Sequence, residues 1–153
     1  MKVLIETSPT EIENPAASQI RLPLGLIGFP EHKQVEFLYQ PDQLPFLWMH
    51  LEGPKPLHFV VIEPAGLIPG YEPEIFDEDA AFLEIKSSND AAIFNIVTVS
   101  NSSPLSATVN LVGPIVVNRR NGRGKQVVLA NHTQYSTHYP LVDMTPTATA
   151  ASF

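Results

Sequence analysis

Fifteen prolines are spread along the 153 residues of this chain, and they divide its apolar residues into short segments. Proline inside a helix removes a backbone hydrogen bond and clashes with the preceding turn, so long helices cannot form across these positions. The charged fraction is only 16%, whereas soluble domains typically have about 25%. A helical bundle needs long proline-free runs with charged outer faces, so this class of fold is excluded.

The apolar segments between the turn residues have the length and composition of β-strands. They are rich in aromatic and β-branched residues, which favour a pleated sheet. The predicted strands are residues 2–6, 19–22, 35–39, 46–51, 58–62, 91–99, 108–112, 115–119 and 125–129. We therefore expect a mainly β protein, with a single small antiparallel domain of barrel-like or sandwich form. Segment 91–99 has little polar alternation, which predicts burial on both faces.

Turn residues and one acidic segment complete the expected fold. Carboxylates complement the positive end of a helix dipole, so the acidic start of residues 77–83 predicts one short helix. Two glycines and two prolines around bulky apolar residues at 23–30 predict a tight, partly buried loop. Asn121-Gly122 favours either a type I′ hairpin turn or a wider, bulged turn. We expect residues 1–141 to form the domain and residues 142–153 to form a flexible tail.

The common signatures of enzymes are missing from the sequence. Without cysteine there are no disulfides, thiolate metal sites or cysteine nucleophiles. There is no G-x-S-x-G elbow, phosphate-binding loop or G-x-G-x-x-G motif. His50 and His58 fall in predicted strands and are expected to be ordinary satisfied or half-exposed residues, because metal sites need convergent ligands. We expect a protein that is not an enzyme and that has no cofactor or metal.

The formal net charge of −7 narrows the class of partner. An acidic protein is repelled by phosphate backbones and attracted by basic proteins. Only three apolar residues separate Lys2 from Glu6, which is too short for the core of a signal peptide. No apolar run reaches the length of about 18 residues that a membrane-spanning helix needs. The expected location is the cytoplasm.

Two clusters of charge could mark an interaction surface. The acidic cluster is either a solvated face or a landing patch for a basic protein, and it comprises Glu72, Glu74, Asp77, Glu78, Asp79 and Glu84. The basic cluster is either a solubilising turn or a contact for RNA, and it comprises Arg119, Arg120, Arg123 and Lys125. A third alternative is an enzyme that binds a small ligand, with Tyr135 and His138 in its pocket.

An ordered set of short motifs resembles the family of flagellar assembly factors called FliW. Residues 24–31 resemble the G-x-P-G-F-E loop of that family, and residues 110–118 are similar to its N-L-x-A-P-I-x-x-N stretch. Residues 96–99, 126–129, 135–137 and 140–141 follow at the matching spacing. The likeness runs from about residue 19 to residue 141. Ile27, Gly70 and Gly113 stand where the family pattern has proline, aspartate and alanine.

The resemblance implies a non-enzymatic switch. Members of this family bind the filament subunit flagellin near its C-terminal end in the cytoplasm. When flagellin is exported, the freed factor, expected to be a monomer, binds the translational repressor CsrA. The inhibition is allosteric, away from the RNA site of the repressor, and it relieves repression of flagellin mRNA.

A basic RNA-binding repressor suits an acidic partner, and this defines the predicted contact residues. Steering and rim contacts are predicted for Glu72, Glu74, Asp77, Glu78 and Asp79. Apolar side chains of neighbouring loops are expected to supply most of the affinity, as buried hot spots usually do. The predicted anchors are Leu67, Ile68 and Tyr71.

Overall fold

The structure, a computed structural model, describes residues 1–3, 20–100 and 106–141. This part of the chain contains nine strands and one α-helix, α1 (Asp77–Phe82). The strands are β1 (Ile20–Arg21), β2 (Gln34–Leu38), β3 (Leu47–Glu52), β4 (Leu57–Ile62), β5 (Ala91–Ser100), β6 (Ser106–Val109), β7 (Ile115–Asn118), β8 (Gly124–Gln126) and β9 (Tyr139–Pro140). Single 3₁₀ turns lie at Pro41–Gln43, Ser88–Asp90 and His132–Gln134.

Every strand pair is antiparallel, and the sheet curls into a half-barrel. The strand order is β1-β2-β3-β4-β5-β6-β9, and the β7–β8 hairpin also pairs with β5. Short connections join β2 to β3 and β3 to β4, whereas a long connection that contains α1 joins β4 to β5. The predicted fold, mainly β with one short helix, is confirmed.

Strand β5 is ten residues long and pairs with three other strands. Residues 91–94 pair with β7, residues 95–97 pair with β4, and residues 97–100 pair with β6. Its two faces enter two different apolar clusters, because Ile93 and Val97 belong to one cluster while Ala92 and Phe94 belong to the other. The prediction of burial on both faces is confirmed for residues 91–95.

The two apolar clusters lie on opposite faces of the curled sheet. The first packs α1 and the long connections against the sheet, with Leu83, Leu111 and Leu129 fully buried. The second lies among β1 to β5 and β7, where the ring of Phe37 stacks on that of Phe94 with centroids 4.2 Å apart. Burial of large apolar side chains in both clusters supplies the main driving force for folding.

Strands β6 and β8 end earlier than the sequence predicts, because hydrogen bonds to loop residues redirect the backbone. Strand β6 stops at Val109, where the Asn110 Oδ1 accepts hydrogen bonds from the backbone N–H groups of Val112 and Gly113. Beyond β8, residues 127–129 bond to the loop before β7 and not to a strand. Strand β9 has only two residues, one of them proline, so no sequence pattern predicts it. Predicted strand 2–6 is described only at residues 2–3, and the tail 142–153 lies outside the described residues.

The turn at Asn121-Gly122 is the wider of the two predicted forms. Five residues connect β7 to β8, and the Gly122 N–H donates to the carbonyl oxygen of Asn118 at 2.9 Å. Gly122 has a φ of 74°, but Asn121 is not in the positive-φ region that a type I′ turn requires at both central positions. The type I′ alternative is therefore wrong.

The loop at residues 23–30 is tight and partly buried, as predicted. Leu26 and Phe29 exchange two backbone hydrogen bonds, and Leu26 is buried while Ile27 is exposed. Gly25 and Gly28 have φ values of 67° and 90°, which residues with a Cβ rarely adopt.

Gly25 and Gly28 provide a matched pair of substitutions. An added Cβ at Gly25 would lie 2.3 Å from the carbonyl oxygen of Phe29, whereas at Gly28 it would meet nothing within 4 Å. We expect Gly25→Ala to lower the free energy of unfolding by about 3 kcal/mol, because strain and a backbone clash add. Gly28→Ala, which has strain alone, should cost about 1 kcal/mol. Urea denaturation measures both, and equal losses would contradict the clash.

Candidate functional site

The acidic cluster lies in the connection between β4 and β5, and the fold divides it into two parts. Glu72, Asp77 and Glu78 are exposed and Glu74 is half-buried, whereas Asp79 is buried. Three carboxylates in the first turn of α1 offset the positive end of its dipole. We call the outward-facing residues Glu72, Glu74, Asp77 and Glu78 the acidic surface.

A buried hydrogen-bond network holds the loop that leads into this surface. The Tyr71 hydroxyl donates to the carbonyl oxygen of Leu111 at 2.8 Å and accepts from the Asn95 Nδ2 at 3.2 Å. Burial raises the pKa of Tyr71, the nearby Tyr135 raises it further, and the hydrogen bond from Asn95 lowers it. The net shift is upward, so the phenol stays protonated and remains a donor to Leu111.

The backbone beneath the acidic surface is clamped by residues 131–135. The Asn131 Oδ1 accepts from the backbone N–H of Glu74 at 3.0 Å, and its Nδ2 donates to the carbonyl oxygen of Glu72 at 2.8 Å. The Tyr135 hydroxyl accepts from the N–H of Glu72 at 2.9 Å, and its ring packs edge-on against Tyr71. On the side of the loop these bonds use only the backbone groups of Glu72 and Glu74, so their carboxylates remain free of the clamp.

Among the described residues, two ion pairs touch the acidic surface, and the carboxylate of each pair is exposed. The Lys2 Nζ lies 3.6 Å from the Glu72 Oε2, and the N-terminal ammonium of Met1 lies 3.7 Å from the Asp77 Oδ1. Exposed pairs of this kind contribute about 0–1 kcal/mol, because water screens them and both side chains lose freedom. The acidic surface therefore remains available to a cationic partner.

Three of the predicted contact residues do not reach the surface. Ile68 is 7% exposed and Tyr71 is 5% exposed, since both pack in the first apolar cluster. Asp79 points inward and forms an ion pair with Lys125. A contact residue needs exposed area, so the structure gives Ile68, Tyr71 and Asp79 structural roles; Leu67 is half-buried against the same cluster.

Three members of the basic cluster contact other side chains of the protein, and two of them, Arg123 and Lys125, pack against α1. The Lys125 ammonium pairs with Asp79, and the Arg120 Nε lies 3.2 Å from the Asp90 Oδ1. The Arg123 Cζ lies 4.3 Å from the centre of the Phe82 ring, a cation–π contact. These contacts turn charge toward the protein, which disfavours the RNA alternative, because phosphate binding needs cations that face outward.

Asn118 is a site residue that the sequence reasoning missed. It is fully buried at the end of β7, and its Nδ2 donates to the carbonyl oxygens of Leu83 at 2.8 Å and Glu84 at 3.1 Å. These carbonyls follow the end of α1, where Glu84 has a φ of 58°. The only signal in the sequence was the position of Asn118 inside the family-like stretch 110–118.

The groups suggested for an enzyme pocket are engaged in other roles. Tyr135 belongs to the clamp described above, and His138 is exposed, with its Nδ1 2.9 Å from the Thr137 Oγ1. Among the described residues, no three His, Asp or Glu side chains converge closely enough to hold a metal ion. In the same residues, no helix is long and apolar enough to cross a membrane.

The fold and this surface define a small, mainly β domain that presents a rigid acidic face beside a short helix. A family model described as "FliW protein" matches residues 4–141 of the chain. The flagellar assembly factor FliW of Leptospira biflexa is 35% identical over 129 residues, covering 84% of each chain. That of Natranaerobius thermophilus is 37% identical over 137 residues, covering 88% of this chain and 90% of the relative.

A solved structure agrees with these relatives. The crystal structure of a flagellar assembly factor FliW superposes with a TM-score of 0.72 at 34% identity, covering 95% of this chain and 98% of the other. The chain therefore belongs to the FliW family of flagellar assembly factors. The resemblance found in the sequence is confirmed, and these relatives are named assembly factors and not enzymes.

Neighbouring carboxylates on α1 allow the inward ion pair to be tested. Asp79→Asn leaves the partly buried Lys125 ammonium without its anion, so we expect a loss of about 2 kcal/mol in the free energy of unfolding. Glu78→Gln removes an exposed charge one residue away and should change it by less than about 0.5 kcal/mol. Chemical denaturation compares the two variants, and similar effects would show that the pair with Lys125 does not stabilise the fold.

Proposed function

We propose that this protein is a non-enzymatic switch of flagellar assembly that binds flagellin and antagonises a CsrA-type translational repressor. While flagellin occupies the protein, the repressor stays free to silence flagellin mRNA. After flagellin is exported, the protein binds the repressor away from its RNA site and relieves the repression. The role needs no cofactor, and its place is the cytoplasm, where translation occurs.

The observation that carries this proposal is the acidic surface, in a chain of the FliW family. A repressor that binds RNA has basic surfaces, and oriented charge of opposite sign accelerates the encounter with such a partner. The clamp formed by Asn131 and Tyr135 supports it, because a preordered backbone loses little entropy on binding.

Apolar anchors next to the acidic surface complete the proposed contact. Phe76 is 50% exposed and immediately precedes Asp77, at the N-cap of α1. Aromatic side chains dominate binding energy when a partner buries them, and charged residues then form the rim. We therefore assign Phe76 the anchoring role that the sequence had suggested for Ile68 and Tyr71, with Leu67 as a secondary contact.

Charge reversal tests the steering role of the acidic surface. The triple variant Glu72→Lys, Glu74→Lys and Asp77→Lys should associate with the cognate repressor about tenfold more slowly at low salt. Its association rate should also lose most of its salt dependence, because the long-range attraction is gone. Stopped-flow or surface plasmon resonance at several salt concentrations measures both quantities.

A matched control separates local charge from net charge. Glu31, Asp42 and Glu52 are exposed acidic residues outside the β4–β5 connection, and their reversal to lysine changes the net charge equally. This control should retain most of the association rate and its salt dependence. If both triple variants slow association alike, the acidic surface has no special part. Phe76→Ala should instead raise the dissociation rate.

Competition between partners tests the switch itself. Addition of flagellin to the purified complex of this protein with the repressor should release the repressor in size-exclusion chromatography. A flagellin that lacks its C-terminal segment should release none. A stable ternary complex would contradict the proposed exclusion. A gel shift of flagellin leader RNA by this protein alone would favour direct RNA binding instead.

A further inference from the structure

Two histidines of adjacent strands lie side by side on one face of the sheet. His50 of β3 and His58 of β4 are directly paired in register. Their Nδ1 atoms are 3.1 Å apart, and their ring centroids are separated by 4.5 Å. His58 is exposed and His50 is half-exposed, so both rings are accessible from solvent. Neither residue has a role in the acidic surface or its supporting network.

The separation of the two nitrogens matches that of two ligands on one metal ion. Imidazole nitrogens bind zinc at about 2.0–2.1 Å. Two such bonds to nitrogens 3.1 Å apart subtend an angle of about 98° at the metal. This angle lies between the octahedral and the tetrahedral values, so one ion can contact both nitrogens at their present separation once their lone pairs turn toward it.

A carboxylate lies next to the histidine pair in the same row of the sheet. Glu36 of β2 is the register partner of His50, so Glu36, His50 and His58 follow one another across three strands. Directly opposite residues in a sheet have Cβ atoms about 4.5–5.5 Å apart. In the conformation described here, the three side chains do not form a complete ligand set. A different side-chain conformation of Glu36 would supply the third ligand.

We propose that His50 and His58 form a binding site for a divalent transition metal of the zinc, nickel or copper type, with Glu36 as a third ligand and water completing the coordination. Two imidazoles favour these ions over magnesium and calcium, which prefer oxygen ligands. A bound ion would link β2, β3 and β4 through their side chains. Because it binds the folded sheet and not the unfolded chain, it would stabilise the domain.

Isothermal titration with zinc chloride tests the site in the full chain. The wild-type protein should bind one zinc ion per chain and show a higher melting temperature with zinc, and magnesium should give neither effect. His50→Gln and His58→Gln should each weaken zinc binding at least tenfold and abolish the thermal shift. Glu36→Gln should weaken binding less, because it removes only the third ligand.

His138→Gln is the control, since it removes an exposed histidine outside the sheet row. It should bind zinc as the wild type does. Equal weakening by His138→Gln and His58→Gln, or undiminished binding by the His50 and His58 variants, would overturn the proposal. Far-ultraviolet circular dichroism of each variant without metal distinguishes loss of the site from loss of the fold. Zinc binding and the thermal shift are independent of binding of the repressor in the proposed function, because Glu36, His50 and His58 lie outside the β4–β5 connection.

Discussion

The hydrogen bonding of strand β5 is the constraint on which the other elements depend. A buried strand must satisfy backbone groups on both edges, and β5 does so with three partners, β4, β6 and β7. Its alternating side chains then enter two apolar clusters. The same strand places Asn95 beneath the Tyr71 hydroxyl, and Tyr71 ties the β4–β5 connection to Leu111. Hydrogen bonds from the middle of the sheet therefore hold the loop that carries the acidic surface.

The fold directs some charged side chains inward and leaves others at the surface. Asp79 and Lys125 are 46 residues apart in sequence, yet they meet where the β7–β8 hairpin packs on α1. A partly buried carboxylate is costly without a partner, so the helix and the hairpin are held together by mutual neutralisation. Glu72, Asp77 and Glu78, which remain at the surface, meet solvent. A chain with a net charge of −7 thus presents a local acidic face beside α1.

Sequence patterns located most elements, because their causes are local. Strands β2 to β5 and β7 lie within about one residue of the predicted segments, since β-branched and aromatic runs between turn residues favour a sheet. The ends of β6 and β8 and the existence of β9 depend on contacts with distant segments, so no local pattern indicates them. Within the site, the same limit applies: sequence located the acidic segment, but Asp79 and Tyr71 turn inward because of what packs against them.

The sequence by itself determined the fold class, the family resemblance and the position of the acidic segment, because proline spacing, apolar runs and charge are properties of neighbouring residues. Only the tertiary structure decided which acidic residues face solvent and which cations are neutralised. It also brought the ring of His50 against the ring of His58. Side-chain direction depends on packing between segments that are far apart in the chain, so no single segment predicts it.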